Sequence, residues 1–237
     1  MKIGVQLYSL RDYIKENGLE TALKTVADAG FDGVELAGFY EKTSDEWKRL
    51  LEKYSLTAFS AHIGIGKIDS ELTISESLGI RNIIVPWMAL DDPTEFEKAV
   101  EEMTRLSAEL KADGMTLGYH NHTHEFKNGT DKVTELATRI SGLALEPDVF
   151  WLAVAGVDAC AFIEKHSDRI SLVHVKELGD SPEAVNPVAG EGRARLKDVL
   201  EKSKKTGAEW AVLEIEKTDM PLKEYLTRCC AFMRKHA

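Results

Sequence analysis

Cysteine is scarce: three in 237 residues, Cys160, Cys229 and Cys230, an odd number without the spacing of a thiolate metal site. No disulfide framework is expected, and reduced thiols suit a cytoplasmic protein. Cys229 and Cys230 fall in an apolar-periodic terminal segment, where they read as packing residues. No apolar run reaches the length of a membrane span. The opening MKIGVQLYSL meets Arg11 and Asp12 too soon to read as a secretory leader. Basic charge is also in deficit, with 30 Lys and Arg against 40 Asp and Glu and a formal charge of −10. That field repels nucleic acid and anionic lipid, so neither is expected as a partner. The densest basic run, Lys202 to Lys205, lies on an amphipathic stretch and reads as a solvated face. No G-x-G-x-x-G turn follows the first apolar run, which argues against a dinucleotide fold.

What is present is a repeat. Short β-branched runs occur near Ile3–Leu7, Gly33–Leu36, Thr57–His62, Asn82–Trp87, Thr116–Asn121, Ala144–Asp148, Ile170–Val175 and Trp210–Ile215. Helical patterns alternate with them at Leu19–Ala29, Glu46–Lys53, Pro93–Ala112, Asp131–Ile140, Ala159–His166, Leu196–Thr206 and Leu222–Arg234. The third unit is the weakest, offering only Ile68–Leu78. Gly30, Gly79, Gly114 and Gly207 each stand where a helix ends before a strand, and Asp92 and Asp131 where one begins. Eight such units with no linker predict an α/β protein, a single (β/α)8 TIM barrel over residues 1–237.

Barrel enzymes carry their chemistry where strands end and loops begin. On this map Glu35 ends strand two and His62 strand three, while Tyr119-His120-Asn121-His122-Thr123-His124-Glu125 leaves strand five. Asp148 ends strand six, His174 and Lys176 strand seven, and Glu214 and Glu216 strand eight. Five of the seven histidines thus fall at one end of the predicted barrel; His166 and His236 lie on helical faces and read as structural or solvated. Alternation puts Leu172, His174 and Lys176 on one side of their strand, and burying such groups without a purpose is costly. Singly, His62 reads equally well as a hydrogen-bonded core residue and Glu35 as an ion-pair partner. Jointly, imidazoles and carboxylates at one mouth predict a divalent-metal site suited to manganese, zinc, iron or cobalt, with magnesium also admitted. Trp151, Trp87 and Phe39 read equally as pocket lining or as ordinary core. Arg193 follows the turn Gly190-Glu191-Gly192 and is a candidate anion or substrate contact.

The words GVQLYSLRD, GFDGVEL, SAHIG, YHNHTHEF, EPDVFWLAVAG, ISLVHVKE, AGEG and AVLEIE, in this order, resemble the sugar phosphate isomerase/epimerase superfamily of xylose-isomerase-like barrels. The resemblance implies a divalent metal, manganese first, held by an acidic residue after strand five together with Asp148, His174 and Glu214. Many members end strand five with Glu-Asn, whereas this chain has His120-Asn121. Either His120 ligates in place of that glutamate or Glu125 reaches back from the loop. Glu125 is the favoured reading, leaving His120 or His122 free as a base.

The expected reaction is isomerisation or epimerisation of a small carbohydrate by proton transfer beside a metal-polarised carbonyl. Glu214 and His122 are the proton-transfer candidates. Glu35, His62 and Lys176 are expected hydroxyl or oxyanion partners, and His120, Trp151 and Arg193 expected substrate contacts. The resemblance also admits a lyase acting on a 3-keto-glycoside or keto-polyol. Two further readings rank lower: an apurinic endonuclease, disfavoured by the acidic charge, and a sugar-binding barrel subunit without turnover. A homo-oligomer is compatible with the sequence.

Overall fold

The computed structural model describes residues 1–237 and contains eight parallel strands. They are β1 (Lys2–Gln6), β2 (Gly33–Ala37), β3 (Thr57–His62), β4 (Asn82–Val85), β5 (Thr116–His120), β6 (Ala144–Glu146), β7 (Leu172–Val175) and β8 (Trp210–Leu213). Neighbours pair in the order β6-β5-β4-β3-β2-β1-β8-β7. The two ends of this sheet meet through one bridge, Asp148 to His174, where the His174 N–H donates to the Pro147 carbonyl at 3.0 Å. The arrangement is the expected (β/α)8 barrel, closed by its weakest seam at β6 and β7.

The helices are α1 (Arg11–Asn17), α2 (Leu19–Ala29), α3 (Ser44–Tyr54), α4 (Ile68–Ser77) and α5 (Pro93–Ala112), followed by α6 (Lys132–Arg139), α7 (Val149–Val154), α8 (Ala159–Lys165), α9 (Leu196–Thr206) and α10 (Leu222–His236). Helix α5 begins on Asp92, whose carboxylate accepts from the N–H groups of Thr94 and Glu95, with Pro93 in its first turn. Gly30 and Gly207 end α2 and α9 in the left-handed region, where a side chain would be strained. Helices α1 and α7 were not expected from the sequence. Five strands, β4 to β8, are shorter than expected. Strand β4 stops before Pro86 and β6 before Pro147, because proline offers no N–H to the ladder.

Alternation along each strand decides what fills the barrel. The lower interior is apolar: Phe59 stacks on Trp210 with centroids 3.9 Å apart, beside Ile84, Leu172 and Val212. Room for this pair comes from residues without side chains. A Cβ on Gly4 would lie 2.3 Å from the Phe59 ring, and one on Gly33 2.3 Å from the Thr57 carbonyl oxygen. One step up, the same alternation turns Glu35, His120, Glu146, His174 and Glu214 inward, all of them buried. An apolar plug therefore carries a polar layer at the C-terminal ends of the strands.

Candidate metal and active site

Each polar group in this layer stands where its strand ends. His174 on β7 is completely buried; its Nε2 lies 2.6 Å from Glu35 Oε2 and its Nδ1 3.0 Å from Glu214 Oε2. His120 on β5 puts Nδ1 3.4 Å from Glu146 Oε2 and Nε2 4.0 Å from Asp148 Oδ2. His62 places Nε2 2.7 Å from Glu146 and 3.3 Å from Glu35. Gln6 Nε2 donates to Glu35 at 2.8 Å, and the Ser60 hydroxyl donates to its other oxygen. Asp148 is the N-cap of α7: its Oδ1 accepts from the N–H groups of Phe150 and Trp151 at 2.8 and 3.1 Å, which leaves Oδ2 to the barrel interior.

Buried polar atoms are ordinarily paired, and an exception asks for a reason. Six buried side-chain atoms here lack a hydrogen-bond partner: His120 Nδ1, His122 Nδ1, Glu146 Oε1, Asp148 Oδ2, Trp151 Nε1 and His174 Nδ1. All six belong to this one site. Two sets of four donors lie within 4.8 Å of one another: His62, His120, Glu146 and His174, and His120, Asp148, His174 and Glu214. The second set fits a divalent transition metal better. It offers two imidazoles and two carboxylates, and the Glu35 carboxylate stands on the far nitrogen of His174 at 2.6 Å. Such a partner fixes the ring and tautomer of a metal-binding imidazole. Two imidazole ligands favour manganese, iron, cobalt or zinc over magnesium.

The electrostatics agree with a missing positive charge. Burial pushes the Asp148 carboxyl up to about 7, with the Glu214 charge adding to it. Burial also opposes ionisation of Glu214, but His174 and Lys176 hold it well below the usual carboxylate range. Burial pulls His174 down, yet Glu146 and Glu35 outweigh it and raise it well above an ordinary imidazole. His120 and His122 go the other way, to about 4 and about 3, through burial and neighbouring imidazoles. His122 is therefore a neutral ring with a free nitrogen. Lys176 is buried between Glu214 Oε1 at 3.2 Å and Glu216 Oε1 at 2.9 Å, with Phe150 and Trp151 rings 4.8 Å from its ammonium. Burial works against its charge, but Glu214, Asp148 and Glu216 raise its pKa further.

The profile of the xylose isomerase-like TIM barrel family matches residues 23–236. The chain belongs to that family. Among curated relatives it is 26% identical to the rhizopine catabolism protein MocC of Rhizobium meliloti, over 84% of this chain and 74% of that one. It is 28% identical to an inosose dehydratase of Clostridium botulinum, over 83% of this chain and 75% of the relative. A solved sugar phosphate isomerase/epimerase from Parabacteroides distasonis superposes with a TM-score of 0.81 at 20% identity, covering 98% of this chain and 93% of the other. That likeness is one of fold.

Within this xylose isomerase-like barrel, Asp148, His174 and Glu214 converge, joined by His120 rather than by the favoured Glu125. The difference has a local cause. After β5 the chain turns at His124–Gly129, and the Glu125 carboxylate folds back to accept from the Tyr119 hydroxyl at 2.7 Å and the His122 N–H at 2.9 Å. Glu125 thus holds the backbone of His122 and joins neither donor set. Arg193 is not in the mouth either. Its guanidinium donates to the carbonyls of Gly179 and Asp180 and lines a hollow beside α8 and α9. Trp151 stands 5.3 Å from the His122 ring, within the site. Glu146 is the functional candidate that sequence reasoning passed over. The signal was available, since alternation puts it on the same face as Ala144 and Asp148.

Proposed function

We propose that this protein is a divalent-metal-dependent enzyme that moves a proton on carbon next to the carbonyl of a sugar or sugar-like polyol, isomerising or epimerising it. The observation that carries this reading is the concentration of all six unpartnered buried polar atoms around one four-donor set at the barrel mouth. His120, Asp148, His174 and Glu214 would hold the ion, manganese being the first candidate. When bound, it would supply Lewis acidity to two adjacent substrate oxygens. The chain's own groups supply the rest. His122, whose ring lines the cavity, is the base for the C–H proton, and Glu214, on the same cavity and kept ionised by His174 and Lys176, is the second proton-transfer group. His62, whose ring lines the cavity, presents an N–H donor to negative charge developing on oxygen, while Lys176 holds the Glu214 carboxylate in place from below.

Elimination is a second reading, favoured by the five inosose dehydratases among the relatives, of which this chain spans between 66% and 75%. The first step is the same. The C–H proton passes to the base, the neighbouring C–O bond then breaks, and the departing hydroxide takes up a proton from the protonated base and leaves as water. Incubation with candidate sugars, inososes and keto-polyols in deuterated water tests the shared step. Deuterium should appear on carbon, and His122→Asn should keep the metal while losing turnover by roughly 100-fold or more. Turnover without any exchange in wild type and undiminished in His122→Asn would overturn the proposal. Product identity then separates a rearranged sugar from a dehydrated one.

A further inference from the structure

Two large hydrophobic side chains of this protein are more than a third exposed, Tyr8 and Trp87, at 50% and 57%. Both line the same cavity, about 410 Å³ of open space whose floor is formed by His62, His120 and Glu214. Exposed aromatic surface is unfavourable in water, so two such rings facing one ligand cavity point to a purpose. They come from different sides of the mouth, Tyr8 following β1 and Trp87 following β4, three strands around a barrel of eight. Tyr8 is also held in place: the Arg11 guanidinium sits 4.3 Å from its ring, donates to the Tyr8 carbonyl at 2.9 Å, and pairs with Glu216 at 3.2 Å. Glu216 in turn pairs with Lys176, so the rim ring is braced on the reacting floor.

The charge of this cavity excludes one class of substrate. No lysine or arginine lines it, whereas Glu214 and Glu216 do. The two nearest cations are already paired, Lys176 with both glutamates and Arg11 with Glu216. Away from the ion proposed for the floor, a phosphate monoester at the rim would meet like charge and no unpaired lysine or arginine. We propose that Tyr8 and Trp87 form a subsite for a second ring, so that the substrate is an uncharged two-ring molecule: a sugar-like ring on the floor carrying a sugar or aromatic ring at the rim. This rests on the proton-transfer reading for the floor, but its test is one of binding and needs no turnover.

The probes are methyl, phenyl and glucosyl glycosides with gluco, galacto, manno and xylo rings, together with glucose 6-phosphate. Each is titrated calorimetrically into the manganese-loaded protein. In at least one series the phenyl or the glucosyl compound should bind about 10-fold more tightly than its methyl counterpart, and which of the two does so identifies the rim ring. Tyr8→Ala and Trp87→Ala should each remove about 2- to 10-fold of that preference while leaving the methyl glycoside unchanged. Glucose 6-phosphate should bind no more tightly than methyl glucoside. If no two-ring compound outbinds its methyl glycoside, or if the phosphate ester binds best, the inference falls. A two-ring preference, with no deuterium exchange into any of the carbonyl-bearing sugars, inososes or keto-polyols, would keep the subsite and remove the reaction assigned to the floor.

Discussion

Among single residues, Asp148 carries the most opposed demands. Its Oδ1 caps α7 while its Oδ2 stands buried without a partner beside His120 and Glu214. A carboxyl raised from 3.8 to about 7 is most at home in the folded protein when protonated. Its stability contribution is complete below about pH 4 and is lost as pH rises through about 7 in the metal-free protein. Asp148→Asn keeps the cap and removes the ionisation. Above about pH 7 the metal-free variant should be more stable than wild type by on the order of 1–3 kcal/mol. It should also lose the rise in Tm that a divalent ion gives the wild type. Urea melts with and without manganese check both parts; a variant less stable at every pH would show that the charge is not the burden. The strand-five histidine has its own comparison. His120→Ala should abolish tight metal binding, whereas Glu125→Gln should retain it, because the Glu125 carboxylate is spent on Tyr119 and His122.

At the scale of elements, the strands were readable because a barrel interior demands runs of β-branched apolar residues, and the glycines before β2, β4, β5 and β8 mark the helix ends. Helix α7 was not readable: Val149–Val154 is apolar throughout, and only the Asp148 side chain shows where the helix starts. Spacing alone also left the H-N-H-x-H-E run open, since only the turn at His124–Gly129 shows the Glu125 carboxylate folded back onto Tyr119 and His122. Glu146, in contrast, was legible from alternation, which sets it on the face of Ala144 and Asp148. The plug below the site is a packing feature that no single-residue signal gives. Gly4 exists to admit Phe59 against Trp210, and Phe59 cannot swing away from a ring 3.9 Å distant. Gly4→Ala should therefore destabilise the barrel by about 1–3 kcal/mol through overpacking. Chemical denaturation at constant m-value checks it, and a neutral result would mean the stack is looser than its spacing implies.

For the whole molecule, the closing seam and the candidate metal site are the same place. Strands β6 and β7 meet only through the Asp148–His174 bridge, and both residues belong to the four-donor set. A divalent ion on that set would tie the two edges of the sheet together, so its removal should be felt along the seam before anywhere else. Chelation should lower Tm and raise amide exchange first in Ala144–Glu146 and Leu172–Val175, with the β1–β2 side little changed. The same linkage sets the pH dependence. His174 is raised well above an ordinary imidazole and Asp148 to about 7, so both hold protons that a bound ion must displace. Metal affinity should accordingly rise with pH between about 6 and 8, with net proton release on binding. Calorimetry in buffers of different ionisation heat measures that release directly. Flat affinity across this range, or exchange that rises evenly around the barrel after chelation, would place the ion away from the seam and leave the buried Asp148–His174 pair without a metal to explain it.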